Sequence, residues 1–427
     1  MEWERACRSV GGGVSSSVRG SVRPHQLYFE SGHGPRIVDI EGHSYVDYVL
    51  GWGPLLLGHA HPRVTAAAQA QLERGVLFGG GNRNEVVAAE KFLTALGWAD
   101  RLLWTNTGTE AVQIALRLAR AATGRDIVVK LGGAYHGWHD TVLASYRDYG
   151  RGGRAVPHSK GQPASALQDL RVALFNDLAR CEDIFADEPG RIAAVLVDPT
   201  SSNTGSVTPV PGYLDGLRRL CDEHGALLIF DEVVTGLRAG LGGAADLFGV
   251  SPDLATYGKA IGSGFAVSAV AGRAEVIDLV TKGAVHSGTF NGNPLATAAV
   301  EATLDVLGED GVYERIEDTA RRLVDGVRAA AAKAGHTVGV HHIGATVIVV
   351  PGVPPVTGPE DFIAADWAWW DELVVPAMLA RGIYLLPGGR LFLSTEHGPR
   401  ETAETIDAFT EVFAEVRPPS EPGATAL

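Results

Sequence analysis

From Pro62 to about residue 271 the sequence alternates helical stretches (62–74, 84–97, 109–123, 211–224) with short apolar runs at 101–105, 126–130, 192–197, 226–230 and 267–271. The apolar runs carry no polar alternation. A strand with one wet face alternates apolar and polar residues, so strands of this kind are buried on both faces. A mostly parallel central sheet covered by helices satisfies that requirement, with a helix crossing between successive strands. The expected fold class is therefore α/β.

The flanking regions read differently. Arg36–Ile40 and Ser44–Tyr48 surround Glu41-Gly42-His43, a hairpin with glycine at the turn. After Asn293-Pro294 the chain is helical to about 334, with short strands near 345–350, 383–386 and 391–394 and a last helix near 400–416. This describes a smaller α+β layer to which the hairpin contributes. The expected division is 1–60 (N-terminal segment and hairpin), 61–297 (large domain) and 298–427 (C-terminal small domain). Residues 147–165 form a long Gly/Arg-rich loop, a length often used for lids, and the Pro-rich last ten residues are expected to fray.

Composition narrows the function classes. Net charge is −14, from 50 acidic and 36 basic residues, with no Lys/Arg run, which speaks against nucleic acid or an anionic membrane as partner. Cys7, Cys181 and Cys221 are too scattered for a disulfide framework and show no zinc spacing. No metal is expected. No apolar stretch nears the roughly 18 residues of a membrane span, and no apolar leader opens the sequence, so a cytoplasmic location is expected.

Three constellations carry chemistry. Thr105-Asn106-Thr107-Gly108-Thr109-Glu110 follows an apolar run and opens a helix, where free N–H groups and the positive dipole end attract phosphate; plain capping by Thr107 or Thr109 is the alternative. Leu227–Val233 delivers Asp231 and Glu232 at a strand's C-terminal edge, where open α/β sheets bind ligands. Side chains alternate, so Asp231 and Val233 share a face, and Asp231 there suits a cationic ring nitrogen or a neighbouring loop. Thr256-Tyr257-Gly258-Lys259 sets a lysine at another strand end. The chain has only six lysines, at 91, 130, 160, 259, 282 and 333, and Lys130 is the one rival as an imine former.

A phosphate cradle, a ring-nitrogen acid and an imine-forming lysine together suit pyridoxal phosphate. The chain resembles the class III (fold type I) pyridoxal-phosphate aminotransferases, close to glutamate-1-semialdehyde 2,1-aminomutase-like aminotransferases. The resemblance runs from about residue 10 to 415. Its carriers are Gly12–Arg19, Gly51–Pro62, Thr107–Ala111, Ala134–Gly137, Ile229–Gly236, Tyr257–Lys259 and Gly288–Pro294. It implies that Lys259 forms the Schiff base and shuttles the proton, and that Asp231 holds the ring nitrogen protonated. It further implies that Thr107, Gly108 and Thr109 bind phosphate, that Tyr135 and Val233 cover the two ring faces, and that Asn176 lies near the ring hydroxyl. Thr289 is implied to reach the cofactor of a neighbouring subunit, making a homodimer with shared active sites.

The same resemblance points to Ser16, Arg19 and Trp52 as one substrate wall and to Arg390 as a second carboxylate-binding arginine. A forked guanidinium suits a carboxylate. Two departures separate the chain from the aminomutase: 147–165 is Arg-rich where a Gly/Pro gating segment is expected, and the 387–391 loop lacks an acidic residue. A mutase must retain its diamino intermediate, whereas a transaminase must release a keto product. The expected activity is therefore ping-pong transfer from an amino donor to a keto acid or aldehyde, with the mutase and a racemase or epimerase as alternatives. A third departure is Asp198-Pro199, where the family usually has Glu-Pro.

Overall fold

The computed structural model describes residues 2–21, 26–146, 154–353 and 356–417; residues 147–153 of the expected lid loop and the last ten residues lie outside these. The hairpin forms around Gly42, which takes φ +89°, a conformation that glycine adopts without strain. Strands β1 (Phe29–His33), β2 (Arg36–Asp39) and β3 (Ser44–Asp47) pair antiparallel in sequence.

The alternating region yields β4 (Arg101–Thr105), β5 (Ile127–Leu131), β6 (Leu170–Ala173), β7 (Ile192–Val197), β8 (Leu227–Glu232), β9 (Leu254–Tyr257) and β10 (Ser268–Gly272). They form one sheet in the order β4-β10-β9-β8-β7-β5-β6. Strands β9, β8, β7, β5 and β6 are parallel, and β10 runs antiparallel to both its neighbours. Every residue of β5, β7, β9 and β10 is buried, Lys130, Thr256 and Ser268 included, as expected of strands covered on both faces. Alternate residues serve opposite faces. Val128, Ala194, Leu196 and Ile229 pack under helix 108–123, while Val129, Val195, Val197 and Phe230 join the larger core on the other side. Each Val, Leu, Ile or Phe side chain among these contributes about 1.5–3 kcal/mol by leaving water.

The four helices expected in this region form at 62–72, 83–96, 108–123 and 213–224. Beyond it, β11 (Val338–Ile343) and β12 (Thr346–Pro351) pair antiparallel, β13 (Ile383–Tyr384) joins β3 in parallel, and β14 (Arg390–Phe392) joins β12. The N-terminal hairpin thus shares a sheet with a strand from residue 383 onward. Among the described residues no helix is long and apolar enough to cross a membrane.

One buried cation ties these parts together. Arg238, just past β8, donates from Nε to the Gly53 carbonyl at 2.8 Å and from Nη1 to those of Ala345 and Leu393, each at 3.0 Å. Its guanidinium lies 4.7 Å from the centre of the Phe392 ring. Burial pulls its pKa down to about 9.

Candidate active site

Strands β8 and β9 end side by side, with Asp231 opposite Thr256 in the parallel register. Asp231 Oδ1 accepts from Thr256 Oγ1 and from the Val233 N–H, both at 3.1 Å, and Oδ2 contacts His136 Nδ1 at 2.6 Å. Burial alone would raise its pKa, but the His136 contact and the Lys259 charge outweigh that and hold it below its usual value. Glu232 faces the other way, as strand alternation dictates, and accepts from the Ala244 N–H. His136 is a partner of Asp231 to which the sequence reading assigns no role. Its signal lies inside the Ala134–Gly137 motif, yet only the fold brings position 136 to position 231.

Lys259 follows β9 and Gly258. Its backbone takes φ +46°, a left-handed conformation disfavoured for a residue with a side chain, and such strain concentrates at functional sites. Burial lowers its amine pKa to about 8; Asp231 opposes the shift and the Arg390 charge assists it. A larger share of this amine is therefore uncharged and nucleophilic near neutrality than for a solvated lysine. Lys130, the rival, is fully buried and donates to the carbonyls of Ala134, Val142 and Ala144 at 2.9, 3.2 and 2.6 Å. It braces the loop that carries Tyr135 and His136.

At the opposite end of the site, Thr107 caps helix 108–123 in a reciprocal capping box with Glu110. Its hydroxyl accepts from the Glu110 N–H at 3.3 Å, so capping occupies the side chain. The Gly108 and Thr109 N–H groups stand in the helix's first turn, where no earlier turn accepts them. A Cβ on Gly108 would meet Val233 Cγ1 at 3.0 Å, and one on Gly258 would meet the same methyl at 3.3 Å. Val233 thus bridges the helix start to the lysine turn, and three sequence motifs converge. Tyr135 is exposed at the mouth, its ring 5.7 Å from that of Tyr146. The turn bearing Thr289 is exposed and adjoins the cradle, because Asn106 donates to Asn291 Oδ1 at 2.8 Å.

At the start of β14, Arg390 is half-buried, and desolvation depresses its pKa. It contacts Asn203 Oδ1 at 3.5 Å. Asp198 does not reach out to Arg390. Its carboxylate accepts from the Thr200 N–H, the Ser202 N–H and the Thr200 and Ser202 hydroxyls. The shorter acid is thus held within its own loop. Burial, reinforced by the Asp231 charge, raises the Asp198 pKa, so the two carboxylates near Lys259 are driven in opposite directions.

Trp52 takes φ +72° and packs against Val49, Leu50, Leu386 and Phe392. Arg19 is exposed near Tyr384, which packs on the same cluster, and Ser16 accepts the Arg19 N–H through its carbonyl at 2.9 Å. Asn176 is not gathered in. It follows edge strand β6, three strand positions from β8, roughly 14 Å at the usual spacing. Its Oδ1 accepts from the Val210 N–H at 3.0 Å instead.

The family model described as aminotransferase class-III matches residues 18–415. The chain is a class III aminotransferase family member. Among curated class III relatives, the glutamate-1-semialdehyde 2,1-aminomutase of Pelotomaculum thermopropionicum is 41% identical over 96% of both chains. Among solved structures, an omega-transaminase from Sphaerobacter thermophilus superposes with TM-score 0.92 at 32% identity, covering 98% of this chain and 97% of that one. A transaminase with PLP bound gives TM-score 0.90 at 30% identity, covering 97% and 96%. The class III match and these neighbours agree with the α/β reading and its fold type I sheet.

Proposed function

We propose that the chain is a transaminase that recognises at least one substrate through its carboxylate. One observation carries the reading. Arg390 lies near enough to Lys259 to lower its proton affinity, and among the described residues it forms no ion pair with a carboxylate. A half-buried guanidinium without a carboxylate partner favours an anionic ligand.

The cofactor is pyridoxal 5'-phosphate, and the residues fit it: first-turn N–H groups for the phosphate, anionic Asp231 for the ring nitrogen, and a depressed lysine amine for the aldehyde. When bound, it supplies a carbonyl carbon that takes up and hands on the amino group, and a ring that draws electrons from the substrate carbon. On this reading Lys259 holds the aldehyde between turnovers and moves the proton between substrate and cofactor carbons. Asp231, oriented by His136 and Thr256, keeps a proton on the ring nitrogen. Gly108 and Thr109 hold the phosphate, with Thr107 shaping the helix start, and Tyr135 and Val233 cover the ring faces. Asn176 is given no ring contact.

Ser16, Arg19 and Trp52 form one substrate wall and Arg390 the other. An amino donor reacts first and leaves as its keto product; a keto acid or aldehyde then takes the nitrogen. The division at 60 and 297 belongs to the same reading, supported by the seven-stranded sheet lying wholly within 101–272. So do a cytoplasmic location and a homodimer with Thr289 shared between subunits, the latter supported by exposed Phe290 and Trp138 close in sequence to site residues.

The relative at 41% identity favours a second reading, the aminomutase. Arg390→Gln tests the first. It is expected to lower kcat/KM for a β-amino acid donor about 10²-fold, the effect of truncating one partner of a buried charge pair, while a donor amine lacking the carboxylate loses less than about threefold. Equal losses for both donors overturn carboxylate recognition. Isomerisation of glutamate-1-semialdehyde in preference to any donor–acceptor pair establishes the mutase, and α-proton exchange without keto product establishes a racemase.

A further inference from the structure

The loop in front of Arg390 has an unusual support. Gly388 and Gly389 take φ +75° and +70°, two left-handed residues in succession. A pair of glycines loses much backbone freedom on ordering, so something outside the loop must hold it. On one side the Val349 N–H donates to the Gly389 carbonyl at 2.8 Å. The approach is so close that a Cβ on Gly389 would lie 2.0 Å from the Val349 carbonyl oxygen. On the other side the Gly388 N–H donates to Asp371 Oδ1 at 2.9 Å.

Asp371 sits in a π turn, Trp370–Val374, set within a helix running from Trp367 to Leu379. Pro376 lies just beyond the turn and has no N–H for the regular ladder, so the helix is already interrupted there. One inserted residue rotates the helix face before the turn by about 100° against the face after it. Trp370 thereby stays fully buried while its neighbour Asp371, half-buried, reaches the Gly388 N–H. The turn exists at a cost in helix hydrogen bonding, and turns of this kind recur at functional sites.

We propose that Asp371 is a positioning residue for substrate selection: its carboxylate, aimed by the π turn, pins the Gly388-Gly389 loop so that Arg390 presents its guanidinium to the substrate carboxylate. The proposal rests on the reading of Arg390 as carboxylate receptor. Asp371 itself touches neither substrate nor cofactor. Its effect travels through one backbone hydrogen bond, of the charge-assisted kind.

The test compares cofactor-loaded wild type, Asp371→Ala, Asp371→Asn and Arg390→Gln. Each is assayed with a β-amino acid donor and with the corresponding amine lacking the carboxylate. Binding of 3-phenylpropanoate, a carboxylate that cannot react, is measured by calorimetry. Asp371→Ala is expected to raise KM for the carboxylated donor and Kd for the probe by about tenfold, the scale of one lost hydrogen bond to a charged group, with kcat changed less than about twofold. Asp371→Asn keeps an amide oxygen that accepts from Gly388 and is expected to recover most of the wild-type KM. If Asp371→Ala leaves KM and Kd unchanged, or lowers turnover of both donors equally, the positioning role is overturned. If Asp371→Asn behaves like the alanine variant, charge rather than the hydrogen bond acts, and the strut is likewise overturned. Failure of Arg390→Gln to separate the two donors overturns the underlying reading instead.

Discussion

Lys259→Ala is expected to lower turnover at least about 10⁴-fold, because one side chain supplies both the covalent anchor and the mobile proton, and each role alone is worth orders of magnitude. The same variant is expected to lose the cofactor label that borohydride fixes to the wild-type chain. A variant that still fixes the label and turns over would move the anchor elsewhere, and Lys130, already holding three carbonyls, is not free to serve. The amine also predicts a pH dependence. With a pKa near 8 in place of 10.5, the cofactor-free chain is expected to capture pyridoxal phosphate faster as pH rises through about 8, since only the uncharged amine attacks. Stability depends on the same proton. Between about 8 and 10.5 the unfolded chain binds a proton that the folded chain has released, so stability rises with pH across that window. Stopped-flow capture rates and denaturation midpoints, each measured across that window and below it, check both.

Asp231→Asn is expected to reduce kcat about 10²- to 10⁴-fold with little change in fold. The amide is isosteric and still accepts from Thr256 and Val233, but it lacks the charge that keeps a proton on the ring nitrogen. Removing one member of a buried ion pair costs about 3–5 kcal/mol, which sets that range. Asp231 holds its proton affinity below the ordinary 3.8, so the wild-type rate is expected to show no step from this group anywhere above that pH. A loss under about fivefold would mean that the ring nitrogen is not its partner, leaving His136 as the side chain that Asp231 orients.

The legibility of each element in the sequence tracks the strength of its local signal. Short unbroken apolar runs such as Ile192–Val197 read as doubly buried strands, and β7 is buried at every position. Strand β6 gives no such signal, being a four-residue edge strand with Arg171 half-buried in its middle. The antiparallel direction of β10 is equally hidden, since a buried run reads the same in either direction. Within the site, Asp231, Lys259, Gly108 and Val233 are legible because each stands at a strand or helix end. His136, Asn203 and Asp371 are not. Each acts through a partner roughly 17 to 187 residues away in sequence, a pairing no local pattern encodes. Asn176, implied only by the resemblance, stands just past the edge strand β6, where its Oδ1 accepts from the Val210 N–H.

Arg238 has a bearing on how the pocket adapts. One guanidinium grips the carbonyl beside Trp52 and the carbonyl of Leu393 just past the Arg390 strand, while its flat side rests on Phe392. Widening the slot between those walls would strip a desolvated cation of its acceptors all at once, a far steeper penalty than rotating a side chain. The slot therefore behaves like a fixed-jaw gauge. On the proposed reading of Trp52 and Arg390 as substrate walls, altering the range of accepted sizes is expected to require changing those two side chains, not loosening the frame that Arg238 spaces.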